Sequence, residues 1–206
     1  MALLARRLSL AAMIVCVSAT AFGADQPIPR SHQYPNGTTV HFTSWSLFLV
    51  CDPAWLRSEG KPELLALYKA YLNLVTTANE SDAPLWAFSS ATPWRADQID
   101  PLQTKPYCDS LGLAPHQGSF VVITVHPPDT IGPSDAKVLL GFGGQRATDI
   151  ARSLMALADQ AADQGLPEAR AGSREWWRAW ERVSVWSRRR LPGTTMIVQP
   201  KSAGKP

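Results

Sequence analysis

Phe120-Val121-Val122-Ile123-Thr124-Val125 and Lys137-Val138-Leu139-Leu140-Gly141-Phe142 are the two stretches that decide the fold. The first is an unbroken β-branched and aromatic run ended by Pro127-Pro128, which reads as a buried strand. The second is a shorter apolar run ended by Gly143-Gly144, a strand joined to the first by a loop of about ten residues. Thr148 to Gln164 follows as an amphipathic helix. Ile150, Leu154, Leu157, Ala158 and Ala161 line one side, and Gly165 and Pro167 close it.

Upstream of this core, Thr38 to Val50 is β-branched and aromatic with serines in the middle, one long strand or two pieces. Cys51-Asp52-Pro53 ends it. Pro62 to Thr77 predicts a helix, because Leu64, Tyr68, Tyr71, Leu72 and Val75 share one face and Pro62 suits a first turn. Pro84-Leu85-Trp86-Ala87-Phe88 predicts a short buried strand. Pro93, Pro101, Pro106 and Pro115 break up residues 89–118, leaving room for a short helix around Tyr107 to Leu113. Downstream, Ser173 caps a last helix to Arg189, Pro192-Gly193 stops it, and Thr194 to Val198 predicts a brief edge strand. A mainly parallel sheet with helices on both faces would bury all these apolar stripes.

The opening residues carry a different signal. Met1-Ala2-Leu3-Leu4-Ala5-Arg6-Arg7 precedes an apolar run from Leu8 to Val17, and Ala19-Thr20-Ala21 and Ala21-Phe22-Gly23 offer small residues for cleavage. That is the secretory pattern, and the run is shorter than the roughly 20 residues a spanning helix needs. Cys16 lies inside the run behind Met13-Ile14-Val15, which argues against a lipid anchor. The expected organisation is a signal peptide (1–23), an extended proline-rich leader (24–37) with an Asn36-Gly37 turn, one α/β domain (38–198) including the helix 173–189, and a loose tail (199–206). The expected location is the periplasm or the extracellular space.

Export would remove Arg6 and Arg7 and no acid, leaving 18 of the 20 basic residues against 17 acidic ones. Such near-neutrality gives no case for nucleic-acid binding. Two cysteines would remain, Cys51 and Cys108, which in an oxidising compartment are most simply one structural disulfide. An exchange-active pair and two unpaired thiols are the other readings.

The order of elements resembles the thioredoxin-like superfamily over about residues 38–165. The resemblance implies an α/β three-layer sandwich, here with an added C-terminal helix. Its exchange enzymes carry two cysteines separated by two residues after the first strand, at a helix start that lowers a thiol pKa. This chain has Cys51-Asp52-Pro53-Ala54 at that place, with alanine where the second cysteine would stand. A dithiol cycle within the stretch is thereby excluded, and exchange would require Cys51 with Cys108 as a distant resolving thiol. Gly118-Ser119 stand where the family places a proline before its third strand.

Other chemistry finds little support. His32, His41, His116 and His126 lack metal-ligand spacing, although His116 and His126 could converge with Asp129 or Asp135. Ser110, Ser119 and Ser134 sit in no nucleophile-elbow sequence. Gly141-Phe142-Gly143-Gly144-Gln145 lacks the full glycine spacing and lysine of a phosphate loop and reads as a tight strand-to-helix turn, whose helix end could hold an anion. No metal or cofactor is expected.

The unusual element is the last helix. Trp176, Trp180 and Val183 share one stripe, Trp177 and Trp186 flank it, and Arg174, Arg178, Arg182 and Arg189 populate the other side. Its aromatic face could pack on the protein itself, dock a partner through Trp176, Trp177, Trp180, Trp186, Arg178 and Arg182, or lie on an anionic membrane. The expectation is an exported, non-enzymatic accessory or protein-binding domain of the bacterial cell envelope, with thiol–disulfide exchange as the alternative. N-terminal sequencing of protein recovered from the periplasm is expected to begin at Phe22 or Ala24; a chain still beginning at Met1 overturns the export assignment.

Overall fold

A computed structural model describes residues 31–33, 39–41, 43–78, 82–86, 101–114, 118–126 and 130–200. The expected signal peptide, the Asn36-Gly37 turn, His116, Asp129 and the tail beyond Pro200 lie outside the described residues. The fold is mixed α/β. In chain order the elements are β1 (Ser31–Gln33), β2 (Thr39–His41), β3 (Ser44–Val50), α1 (Pro53–Arg57), α2 (Lys61–Ala78), β4 (Asp82–Trp86), α3 (Pro101–Ser110), β5 (Ser119–Thr124), β6 (Lys137–Gly141), α4 (Ala147–Asp163), α5 (Arg174–Arg190) and β7 (Thr195–Gln199).

The run Thr38 to Val50 is two pieces belonging to two sheets. β2 pairs antiparallel with β1, a strand that falls inside the expected leader, whereas β3 enters the main sheet. That sheet has the order β4-β3-β5-β6-β7. The expectation of a mainly parallel sheet is corrected: only β3 and β4 run parallel, and every other pair is antiparallel. Chain connections explain this. Parallel pairing needs a crossover, usually helical, and α1 with α2 supplies one between β3 and β4. No helix stands between β5 and β6 among the described residues, so they pair as neighbours turned back on each other. Beyond β6, α4 carries the chain away and α5 brings it back, so β7 enters antiparallel with Thr195 opposite Gly141.

β3 and β5 are buried along their whole length, which requires cover on both faces. Alternation along the strands divides the cover. Phe48, Val50, Val121, Ile123, Val138, Leu140 and Met196 meet Leu67, Tyr71 and Leu74 of α2, Ile150, Leu154 and Leu157 of α4, and Trp176, Trp180 and Val183 of α5. The opposite face carries Trp45, Leu47, Leu49, Phe120 and Val122, packed with Cys108, Leu111, Leu113 and Ile131. Helices thus lie on both faces, as the apolar stripes required.

Two elements differ from expectation. Asp52-Pro53 does not merely end β3: Asp52 Oδ1 accepts from the Ala54 N–H at 2.8 Å and starts α1. The irregular segment holds α3 from Pro101, earlier than Tyr107, with Pro106 inside it. Buried Thr104 donates its hydroxyl to the Val50 carbonyl at 2.8 Å and ties α3 to the end of β3. At the other end of the sheet, buried Lys137 donates to the carbonyls of Gly132, Pro133 and Asp135 and to Gln199 Oε1, binding the β5–β6 loop to β7. Burial pulls its pKa down, against the opposite pull of Asp135.

Among the described glycines, Gly118 leaves the least room for a side chain. It has φ +81°, and a Cβ there would lie 1.8 Å from the Gly143 carbonyl oxygen. Gly118→Ala is expected to cost about 3 kcal/mol or more in chemical denaturation, combining backbone strain with a steric overlap. Gly112→Ala, at φ +68° with nothing within 4 Å of the new Cβ, is expected to cost only about 1 kcal/mol. Equal losses would show that the Gly118–Gly143 approach is not what constrains the site.

Candidate functional site

Two places collect the residues singled out in the sequence. The first is the end of β3. Cys51 and Cys108 form a disulfide with an S–S distance of 2.05 Å, joining the end of β3 to α3. Both are buried, Cys51 at 7% and Cys108 at 3% exposure, among Trp45, Leu47, Leu49, Leu111, Leu113 and Phe120. The Cys51 N–H donates to the Gly118 carbonyl at 3.0 Å, and Asp52 N–H shares that oxygen at 3.3 Å. Ser119 Oγ, next in the chain to Gly118, is buried and has no hydrogen-bond partner among the described residues. The sulfurs therefore lie in an apolar enclosure with a carboxylate, Asp52, beside Cys51. Neither feature favours a thiolate, which apolar burial and a neighbouring anion both destabilise.

Of the residues considered for other chemistry, Ser110 and Asp135 have side chains engaged in local hydrogen bonds. Ser110 donates its hydroxyl to the Tyr107 carbonyl, and the His126 N–H donates to Thr124 Oγ1. Asp135 Oδ2 accepts from the Gly132 N–H at 2.7 Å inside its own loop. No group of His, Cys, Asp and Glu among the described residues could hold a metal ion. Gly143, at φ +55°, and the Gln145-to-Phe142 hydrogen bond make the turn into α4. The anion at that helix start is the protein's own: Glu59 Oε2 accepts from the Ala147 N–H at 3.2 Å, and Glu59 Oε1 pairs with Arg146 at 3.4 Å.

The second place is α5. Ser173 Oγ accepts from the Trp176 N–H at 3.1 Å, the cap expected from sequence. The aromatic stripe is turned inward. Trp176 and Trp180 are fully buried, their rings 6.0 Å apart edge to face, and Trp176 Nε1 donates to the Ala78 carbonyl at the end of α2. These two tryptophans are therefore enclosed by the protein's own core and are not exposed anchors for a partner or a membrane. Arg182, also expected at a partner surface, donates to Gln164 Oε1 at 2.6 Å and to the Gln164 carbonyl at 3.0 Å, fastening α5 to the end of α4. Arg178 is exposed and Trp186 half-buried. Trp177 is 9% exposed but lines a surface pocket of about 450 Å³ with Gly172, Arg174, Arg178, Glu181 and Pro200.

Of the six residues expected to bind a partner, the structure brings Trp177 and Arg178 together at one site and adds Arg174 and Glu181. The four-and-three spacing of 174, 178 and 181 was readable as one helix stripe. The approach of Gly172 and Pro200 was not. No helix among the described residues is long and apolar enough to cross a membrane. Comparison with protein-family models, curated proteins and solved structures finds no match for this chain.

The disulfide closes 57 residues of chain, for which loop entropy gives roughly 4 kcal/mol. The double variant Cys51→Ala/Cys108→Ala is expected to lose about 2–4 kcal/mol in urea denaturation. A loss below about 0.5 kcal/mol, the scatter of neutral surface changes, would show that the bond is not a structural staple.

Proposed function

We propose that this chain is an exported, non-enzymatic accessory domain that binds a protein partner, built on a thioredoxin-like scaffold whose exchange centre has become a cross-link. The observation that carries the reading is the buried disulfide. Both cysteines of the expected mature chain are spent in a bond enclosed by Trp45, Leu47, Leu49 and Phe120 at the end of β3, where exchange enzymes of that superfamily keep a reactive thiol. The strand order β4-β3-β5-β6, with a helical crossover before a parallel partner and a late antiparallel pair followed by a helix, supports the scaffold assignment.

Exchange through Cys51 would need its sulfur to be open to an attacking thiolate. The enclosure and the neighbouring Asp52 count against that. Binding is the function left to the surface, and the pocket beside Trp177 and Arg178 combines residue types that recur in protein interfaces.

Native protein is expected to show no free thiol, to resist reduction by glutathione until it is unfolded, and to reduce insulin no faster than a thiol-free control. In a Cys108→Ala variant, Cys51 is expected not to trap mixed disulfides. Rapid reduction under native conditions together with trapped disulfides would replace this reading with the exchange mechanism.

A further inference from the structure

The pattern of main-chain hydrogen bonds shows which groups of the sheet edge are spare. Phe142 N–H donates to the Ser119 carbonyl at 3.1 Å, and Cys51 N–H donates to Gly118. In antiparallel ladders bonded and non-bonded pairs alternate. Val138 and Leu140 therefore bond toward β5, while Lys137, Leu139 and Gly141 bond toward β7. Their partners Gln199, Ile197 and Thr195 are turned inward to β6. The main-chain N–H and C=O groups of Met196 and Val198 are turned outward, away from the sheet. Of these four groups only the Met196 carbonyl has a partner among the described residues, a 3.4 Å contact from the Ser184 hydroxyl of α5.

α5 reaches this edge at Met196, where Arg188 donates to Ser184 Oγ at 3.3 Å next to the buried Ser184–Met196 contact, but other features that ordinarily blunt an edge are missing. Thr195-Met196-Ile197-Val198-Gln199 has no charge and no proline, and it pairs with β6 in uninterrupted register. Ile197 is 50% exposed, and Val185 on α5 is 48% exposed. α5 runs alongside. Ser184 and Ser187 touch Met196, and the pocket lined by Arg174, Trp177, Arg178 and Glu181 reaches Pro200 just beyond the strand.

We propose that the outer edge of β7, unpaired with any strand among the described residues, and the adjoining flank of α5 form a groove that takes an extended, acidic segment of a partner protein as a sixth strand. The inference rests on the protein-binding reading above and names the partner's chemistry. Main-chain bonding to the Met196 N–H and to the N–H and C=O of Val198 supplies the pairing, the Met196 carbonyl being held by Ser184. Charge identifies the occupant. Arg174 and Arg178 stand at the Pro200 end, Arg188 and Arg189 stand in the last turn of α5 before Thr195, and all four are exposed without an ion pair among the described residues. Carboxylates at both ends of the bound segment meet them. Glu181, inside the pocket, selects against an unbroken acidic run. A second copy of this chain fits poorly, because antiparallel β7–β7 pairing would set the two α5 helices side by side on one face. Arg174 and Arg178 of each would then confront Arg188 and Arg189 of the other.

The test uses the full mature chain, oxidised, with a short fluorescein-labelled peptide of alternating valine and threonine flanked by Asp-Glu pairs. Anisotropy is expected to saturate. In amide spectra Met196 and Val198 are expected to shift and gain exchange protection, while Thr195, Ile197 and Gln199, already bonded to β6, change little in protection. Val198→Pro removes an outward donor and leaves the β6 ladder intact; Arg174→Glu/Arg178→Glu reverses the charge. Each is expected to weaken binding about tenfold or more with an unchanged near-ultraviolet circular dichroism spectrum.

The proposal is overturned by absence of saturable binding, by amide changes elsewhere than β7 and α5, by equal binding of a control peptide with Lys-Lys pairs in place of the Asp-Glu pairs, or by a dimer that Val198→Pro dissolves. If Val198→Pro fails to fold, the amide pattern of the unaltered protein still decides. The disulfide stays closed throughout and lies at β3, with β5 and β6 between it and this edge. A redox-active Cys51 would therefore sink the non-enzymatic reading without altering this result, and an unresponsive β7 would sink the groove alone.

Discussion

Burial of β3 and β5 on both faces is the constraint from which the rest of the structure follows. Each strand presents alternate side chains to opposite layers, and all of them are withdrawn from water. One face is covered by α2, α4 and α5, which interlock through large side chains such as Tyr71, Leu154, Trp176 and Trp180. On the other face the described residues include α3, which is ten residues long and contains a proline. Its hold on the sheet is reinforced by the Thr104-to-Val50 hydrogen bond and by the Cys51–Cys108 bond. The disulfide fastens α3 to a strand that is buried along its whole length.

That fastening also accounts for the crowding at Gly118. The end of β3, the start of β5 and the turn after β6 converge there, with the Gly118 carbonyl accepting from Cys51 and Asp52 and its Cα against Gly143. Only a residue without Cβ allows the three to approach so closely. The space at the end of β3 is filled with apolar side chains and a sulfur–sulfur bond.

α5 joins core to surface. Its aromatic face completes the core while its arginine-bearing flank stays in water, so one helix both stabilises the domain and shapes its surface. An aromatic–arginine helix read in isolation suggests an interface built on tryptophan. In the folded chain the tryptophan stripe is mostly spent internally, and what remains outside is charge, the edge of Trp177 and the main chain of β7.

Much of the element pattern was legible in the sequence, because periodicity reports which side chains must leave water. The amphipathic runs of α2, α4 and α5, the apolar runs of β5 and β6, the Ser173 cap and the edge strand after Pro192-Gly193 all follow from local composition. The pairing of Cys51 with Cys108 was the simplest of three readings that the sequence left open, and the structure holds the bond. Strand direction did not follow from local composition, because it depends on how each connection returns the chain to the sheet. Nor did the Glu59 carboxylate at the start of α4, 88 residues away in the chain, or the outward-turned main-chain groups of Met196 and Val198. Those arise where distant segments meet, and local sequence carries the tendency of each segment to bury a face but not the identity of the segment that covers it.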